Sequence, residues 1–78
     1  MNTYYTDCVD STENVETIIN ELKAKGCAHH HTALAAGYVR KEHVLIRRYK
    51  GRFGRGYAIM EYNPNSTRYC YISYYTIK

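Results

Sequence analysis

Apolar residues along this chain follow two periods. Between Asp10 and Gly26, Val15, Ile18, Ile19 and Leu22 fall at i, i+3, i+4 and i+7, which is one stripe along a helix. Asp10, Ser11 or Thr12 can cap its start, and Glu13 and Glu16 suit the positive end of the helix dipole. Lys23 and Lys25 occupy the last turn, and Gly26 suits the position after it. The pattern predicts a helix over about residues 12–25. A helix this short is marginal alone, so its stripe needs a sheet or another helix to cover it.

Beyond Gly26 the period shortens. "CAHHHTALAAGYV" admits two readings: a helical turn through the alanines at 32–36, or a strand over 30–39. The strand reading leaves Gly37 and "RKE" as the turn that follows. "HVLIRRYK" (43–50), "GYAIMEY" (56–62) and "TRYCYISYYTI" (67–77) read as strands, separated by the turns "GRFGR" and "NPNS". Pro64 cannot lie in a central strand. "NTYYTDCV" at the start reads as a short edge strand. The expected architecture is α+β: one N-terminal amphipathic helix packed on an antiparallel β-meander of three to five strands, in a single domain over residues 1–78. The last strand offers two faces. Cys70, Ile72 and Tyr74 suit the face under the helix, so the stripe is expected to meet Ile46, Ile59 and Ile72. Tyr69, Tyr71, Ser73 and Tyr75 then form the outer face.

Composition changes this picture in one respect. Leu, Ile, Val and Phe total only fourteen of 78 residues, which by itself points toward disorder. Ten tyrosines restore a core, because each can bury a ring and keep its hydroxyl wet or hydrogen-bonded. The core is nevertheless thin for a domain of this size, so folding as a homodimer or on a partner is the competing expectation. No apolar run approaches the ~20 residues of a membrane span, and no signal-peptide pattern opens the chain. Cys8, Cys27 and Cys70 are odd in number and form no C-x-x-C pair. That pattern fits reduced thiols in a cytoplasmic protein.

The net charge of +4 is unevenly distributed. Residues 1–22 carry Asp7, Asp10, Glu13, Glu16 and Glu21 with no Lys or Arg. Residues 40–68 carry eight Lys or Arg against Glu42 and Glu61. An electrically polar molecule is expected, which bears on partners more than on fold. Arg47, Arg48, Lys50, Arg52 and Arg55 crowd one hairpin, with Phe53 and Tyr57 between them. Phosphates relieve such crowding and release counterions when they bind. Aromatic rings stack on bases of any identity. Nucleic acid, alone or within a ribonucleoprotein complex, is therefore the first expected partner. The same charges also serve simply to keep a sheet edge from pairing with other chains.

"RGYAIMEY", residues 55–62, resembles the first ribonucleoprotein motif of the RNA-recognition-motif family, which runs K/R-G-F/Y-G/A-F-V-x-F/Y. Arg55, Gly56, Tyr57, Ala58 and Tyr62 match. Ile59 stands where the family usually has an aromatic, and "NPNST" leads to a strand where the family has a helix. The resemblance implies a central strand whose Tyr57 and Tyr62 stack bases.

Other chemistry is weakly represented. Cys27 and His29–His31, with Cys8, His43 or Cys70, contain ligand types that zinc accepts, but the spacing matches no zinc pattern. No metal and no cofactor are expected. His43 with Arg47 and Tyr49 is the one cluster that suggests acid–base cleavage of RNA. No nucleophile elbow, phosphate loop or paired-carboxylate motif accompanies it, so the expectation is a protein that is not an enzyme. A second class of function is an inhibitor or regulator that grips a nucleic-acid-binding protein complex. Its interface would be Tyr69, Tyr71 and Tyr75 together with the hairpin, in the style of small phage proteins such as anti-CRISPR proteins.

Overall fold

A computed structural model describes residues 8–77. The elements are β1 (Cys8–Ser11), α1 (Val15–Ala24), β2 (Ala28–Ala36), β3 (Val44–Gly51), β4 (Gly54–Glu61) and β5 (Tyr69–Ile77). All five strands form one antiparallel sheet in the order β1-β3-β4-β5-β2. The α+β class holds, with the helix following a first short strand. The meander is β3-β4-β5, while β1 and β2 are added at its two edges. Residues 28–36 are strand, which settles the ambiguous segment. The expected first strand lies mostly outside the described residues, apart from Cys8 and Val9.

The helix begins later than the pattern suggests, because Ser11 is committed to β1 opposite Val44. Asn14 supplies the cap instead, its side chain accepting the Glu16 N–H at 2.8 Å. At the other end the Cys27 N–H donates to the Leu22 carbonyl and the Gly26 N–H to that of Lys23, both at 3.0 Å. This is a Schellman ending, and Gly26 takes the φ of 95° that it requires.

Directly paired residues share a face, so the register defines rows across the sheet. On the helix side the rows are Val44–Glu61–Tyr71–Leu34, Ile46–Ile59–Ser73–Thr32, and Arg48–Tyr57–Tyr75–His29. Lys50–Arg55–Ile77 closes that side at the hairpin end. Ile18 and Leu22 pack with Cys27, Val44, Ile46, Ile59 and Tyr75, flanked by Val15, Ile19 and Tyr57. Burying Ile18 and Leu22 contributes about 1.5–3 kcal/mol each. The opposite side holds a second cluster of Val39, Ala58, Met60, Cys70 and Ile72, with Leu45, Tyr49 and Tyr74 at its border.

The two faces of β5 are thus the reverse of the expected assignment. Ser73 and Tyr75 lie toward the helix, and Cys70, Ile72 and Tyr74 lie away from it. Ile72 therefore does not meet the helical stripe, whereas Ile46 and Ile59 do. Both sets of β5 carry apolar bulk, so alternation separates them without showing which one the helix covers. Pairing with β4 decides it, because Ser73 sits beside Ile59. Ser73 is buried and its hydroxyl bonds that of Thr32 at 3.1 Å, so a polar group is tolerated there.

Candidate nucleic-acid interface

The helix covers its face obliquely, from the Val44 end of β3 toward Tyr75 and the start of β2. Two corners remain open. One lies at the hairpin end, where Arg48, Lys50, Arg55, Tyr57 and Ile77 line an open groove of about 450 Å³ together with Tyr49 and Gly56. The other carries Leu34, Tyr69 and Tyr71, all exposed.

The groove follows from the register. Arg48, Lys50 and Arg55 share one face because they occupy positions of one parity in the two paired strands, Arg48 opposite Tyr57 and Lys50 opposite Arg55. All three cations are exposed, and none forms a salt bridge with a carboxylate among the described residues. Tyr57 is half-buried, packed against the helix-side core while lining the groove. Gly56 is set by proximity: a Cβ there would collide with the Tyr75 carbonyl oxygen of the neighbouring strand. Arg55–Glu61 of the "RGYAIMEY" segment lie on β4, the central strand of the sheet, while Tyr62 falls beyond its end.

The hairpin divides its other candidates between places. Arg47 points to the helix-free face, opposite Ala58. Arg52 and Phe53 form the turn between Gly51 and Gly54, with the Arg52 guanidinium 5.6 Å from the Phe53 ring centre. Phe53 folds back onto the helix-free face. Its ring centre lies 4.2 Å from that of His30, 5.3 Å from His31 and 5.6 Å from Tyr74. Tyr49 packs on Tyr74 at 4.6 Å, and its hydroxyl accepts the Phe53 N–H at 3.4 Å. Phe53 and Tyr57, expected to act together, thus lie on opposite faces. Nothing in the residue pattern connects His30, His31 and Tyr74 with the hairpin. A register shift between His29 and His31 accompanies their approach to Phe53, and no sequence period signals such a shift.

The remaining candidates separate clearly. Tyr69 and Tyr71 are exposed at 50% and 39%, but Tyr75 is only 7% exposed and belongs to the core. Burial, with the Glu61 charge adding to it, pushes the Tyr75 phenol above its ordinary range. His43 bonds Asp10 at 2.7 Å through Nδ1, an ion pair when the imidazole is protonated. Burial likewise raises the Cys27 and Cys70 thiols, which lie on opposite sides of the sheet. Among the described residues, no three His, Cys, Asp or Glu side chains are grouped to hold a metal ion. No helix among them is long and apolar enough to cross a membrane.

Charge is distributed along the strands. Glu13, Glu42 and Glu61 line one depression with His43 at the end of the sheet away from the hairpin, although Arg40 and Lys41 also lie beside that turn. No protein-family model, no curated protein and no solved structure matches this chain.

Proposed function

We propose that this protein is a small non-catalytic binding module whose β3–β4 hairpin engages single-stranded nucleic acid, free or within a ribonucleoprotein. The observation that carries the reading is the groove in which Arg48, Lys50 and Arg55 converge beside Tyr57 without a described carboxylate partner. Three exposed like charges held this close gain from a polyanion, and the gain weakens as salt rises. Phosphates would track the cations. Bases would stack on Phe53 at the tip, where Arg52 already lies near the ring. The free thiols fit a reducing compartment such as the cytoplasm.

Fluorescence anisotropy with short labelled RNA and DNA single strands tests this. The parent chain should bind at low salt. Replacing Arg48, Arg52 and Arg55 together by Ala should abolish most of that binding while circular dichroism stays unchanged. No measurable binding of the parent chain to either strand at low salt would refute the reading.

The exposed corner of Leu34, Tyr69 and Tyr71 favours a second reading, a regulator that grips a protein component of a nucleic-acid machine. Capture from lysate separates the two. Nuclease treatment removes a partner held through nucleic acid and leaves one held through protein.

A further inference from the structure

The two edges of the sheet are built differently. The described part of β1, Cys8–Ser11, carries Asp10, a charge that discourages strand addition. β2 spans nine residues, AHHHTALAA, with no Lys, Arg, Asp, Glu or Pro. Among the described residues it pairs on one side only, with β5. Its other side presents a row of backbone N–H and C=O groups, which is a template for another strand. The shift between His29 and His31 interrupts the first part of this edge, while Thr32–Ala36 is regular. On the same strand Leu34 is 60% exposed, beside Tyr71 at 39%.

We propose that β2 pairs antiparallel with β2 of a second copy, about a two-fold axis near Leu34 and perpendicular to the sheet. Such an interface is self-complementary: Leu34 meets its own copy, and Thr32 meets the copy's Ala36. The axis places both helices on one side of a continuous ten-stranded sheet. Leu34 and Tyr71 of each chain then close over one another between the helices, which covers the corner that α1 leaves open. Ala33 and Ala35 on the other side are small and allow close approach.

Charge permits a second copy as the occupant: β2 carries no Lys, Arg, Asp or Glu, so two chains of net charge +4 meet there without placing like charges in contact. β2 begins at the hairpin end of the sheet, where Ala28 pairs with Thr76 and Thr76 with Gly56. An antiparallel arrangement therefore sends the two basic hairpins to opposite ends of the dimer. Each groove stays open, and the arrangement does not depend on nucleic-acid binding.

Sedimentation equilibrium without nucleic acid, from micromolar to millimolar chain, tests the proposal. The parent chain should approach twice the chain mass. Leu34→Lys places like charges opposite one another across the axis and should return the mass to that of one chain, with circular dichroism unchanged. A parent chain that stays monomeric throughout, or a dimer that persists in folded Leu34→Lys, overturns the proposal. A second readout covers loss of fold in that variant. In a Cys8→Ser background, Leu34→Cys should be joined into a covalent dimer by a short bismaleimide, and Glu16→Cys on the exposed helix should not. Equal cross-linking of the two, or none for Leu34→Cys, also overturns it.

Discussion

The two faces of this sheet reach burial by different means. On the helix side, Ile18 and Leu22 press on Ile46 and Ile59, and all four are fully buried. On the other side no helix is present among the described residues, yet Ala58, Cys70 and Ile72 are also buried. Their cover comes from one loop residue, Val39, and from neighbouring side chains that include Tyr49 and Tyr74. Layer packing makes the first core. The second is made by side chains of the sheet itself, which is how a chain poor in Leu, Ile and Val closes both faces. The difference also bears on chemistry. The helix side gathers Arg48, Lys50 and Arg55 beside Tyr57 at its hairpin corner, whereas the helix-free side gathers the rings of Phe53, Tyr49 and Tyr74.

The comparison breaks most visibly at Leu22. Leu22→Ala removes the centre of the layered core and should cost roughly 2–5 kcal/mol in urea denaturation. A cost well under 1 kcal/mol would mean that the helix is not a structural layer. Gly56→Ala tests the junction of β4 and β5, because the new Cβ meets the Tyr75 carbonyl oxygen and must push the strands apart. A loss of about 1–3 kcal/mol is expected, and unchanged stability would contradict the close approach. Tyr74→Ala opens the ring-covered side and removes contacts to Tyr49, Phe53 and His31. Each aromatic pair contributes about 0.5–1.5 kcal/mol beyond burial, so the three give an expected loss of about 1.5–4.5 kcal/mol, held below that at Leu22 because Tyr74 is only half-buried. A loss exceeding that of Leu22→Ala would reverse the ranking of the two cores.

The cysteines sharpen the same contrast, since Cys27 is buried under the helix and Cys70 under the other cluster. Native protein should be alkylated at exposed Cys8 alone, as read by mass spectrometry. Burial raises both buried thiols and the Tyr75 phenol in the folded state. The folded chain then holds protons that the unfolded chain gives up in alkali. Folding stability should therefore fall as pH rises beyond the ordinary thiol range, in a pH series of denaturant melts.

The sequence made the periodic parts legible. The stripe Val15, Ile18, Ile19 and Leu22 identifies the helix and its buried face, and the turn residues around Pro64 and Gly51–Gly54 separate β3, β4 and β5. Less legible was anything requiring pairing information. Which side of β5 faces the helix, the position of β2 beside β5 at the sheet edge, and the burial of Tyr75 all depend on register. The hairpin cations were visible as a cluster. Their division from Phe53 follows from strand parity and from the turn, and the contact of Phe53 with His30 and His31 depends on a register shift that no residue pattern announces.

The central claim is that the hairpin sets its groove cations Arg48, Lys50 and Arg55 on the helix side and the ring of Phe53, with Arg52 beside it, apart from them. The salt dependence of binding to a labelled single strand measures that separation directly. Arg48→Ala or Arg55→Ala should lower the slope of log affinity against log salt by about one unit, if each meets one phosphate. Phe53→Ala should weaken binding by about 1–3 kcal/mol and leave the slope unchanged. Equal slopes for parent and arginine variants, or a slope that falls with Phe53→Ala, would contradict the account.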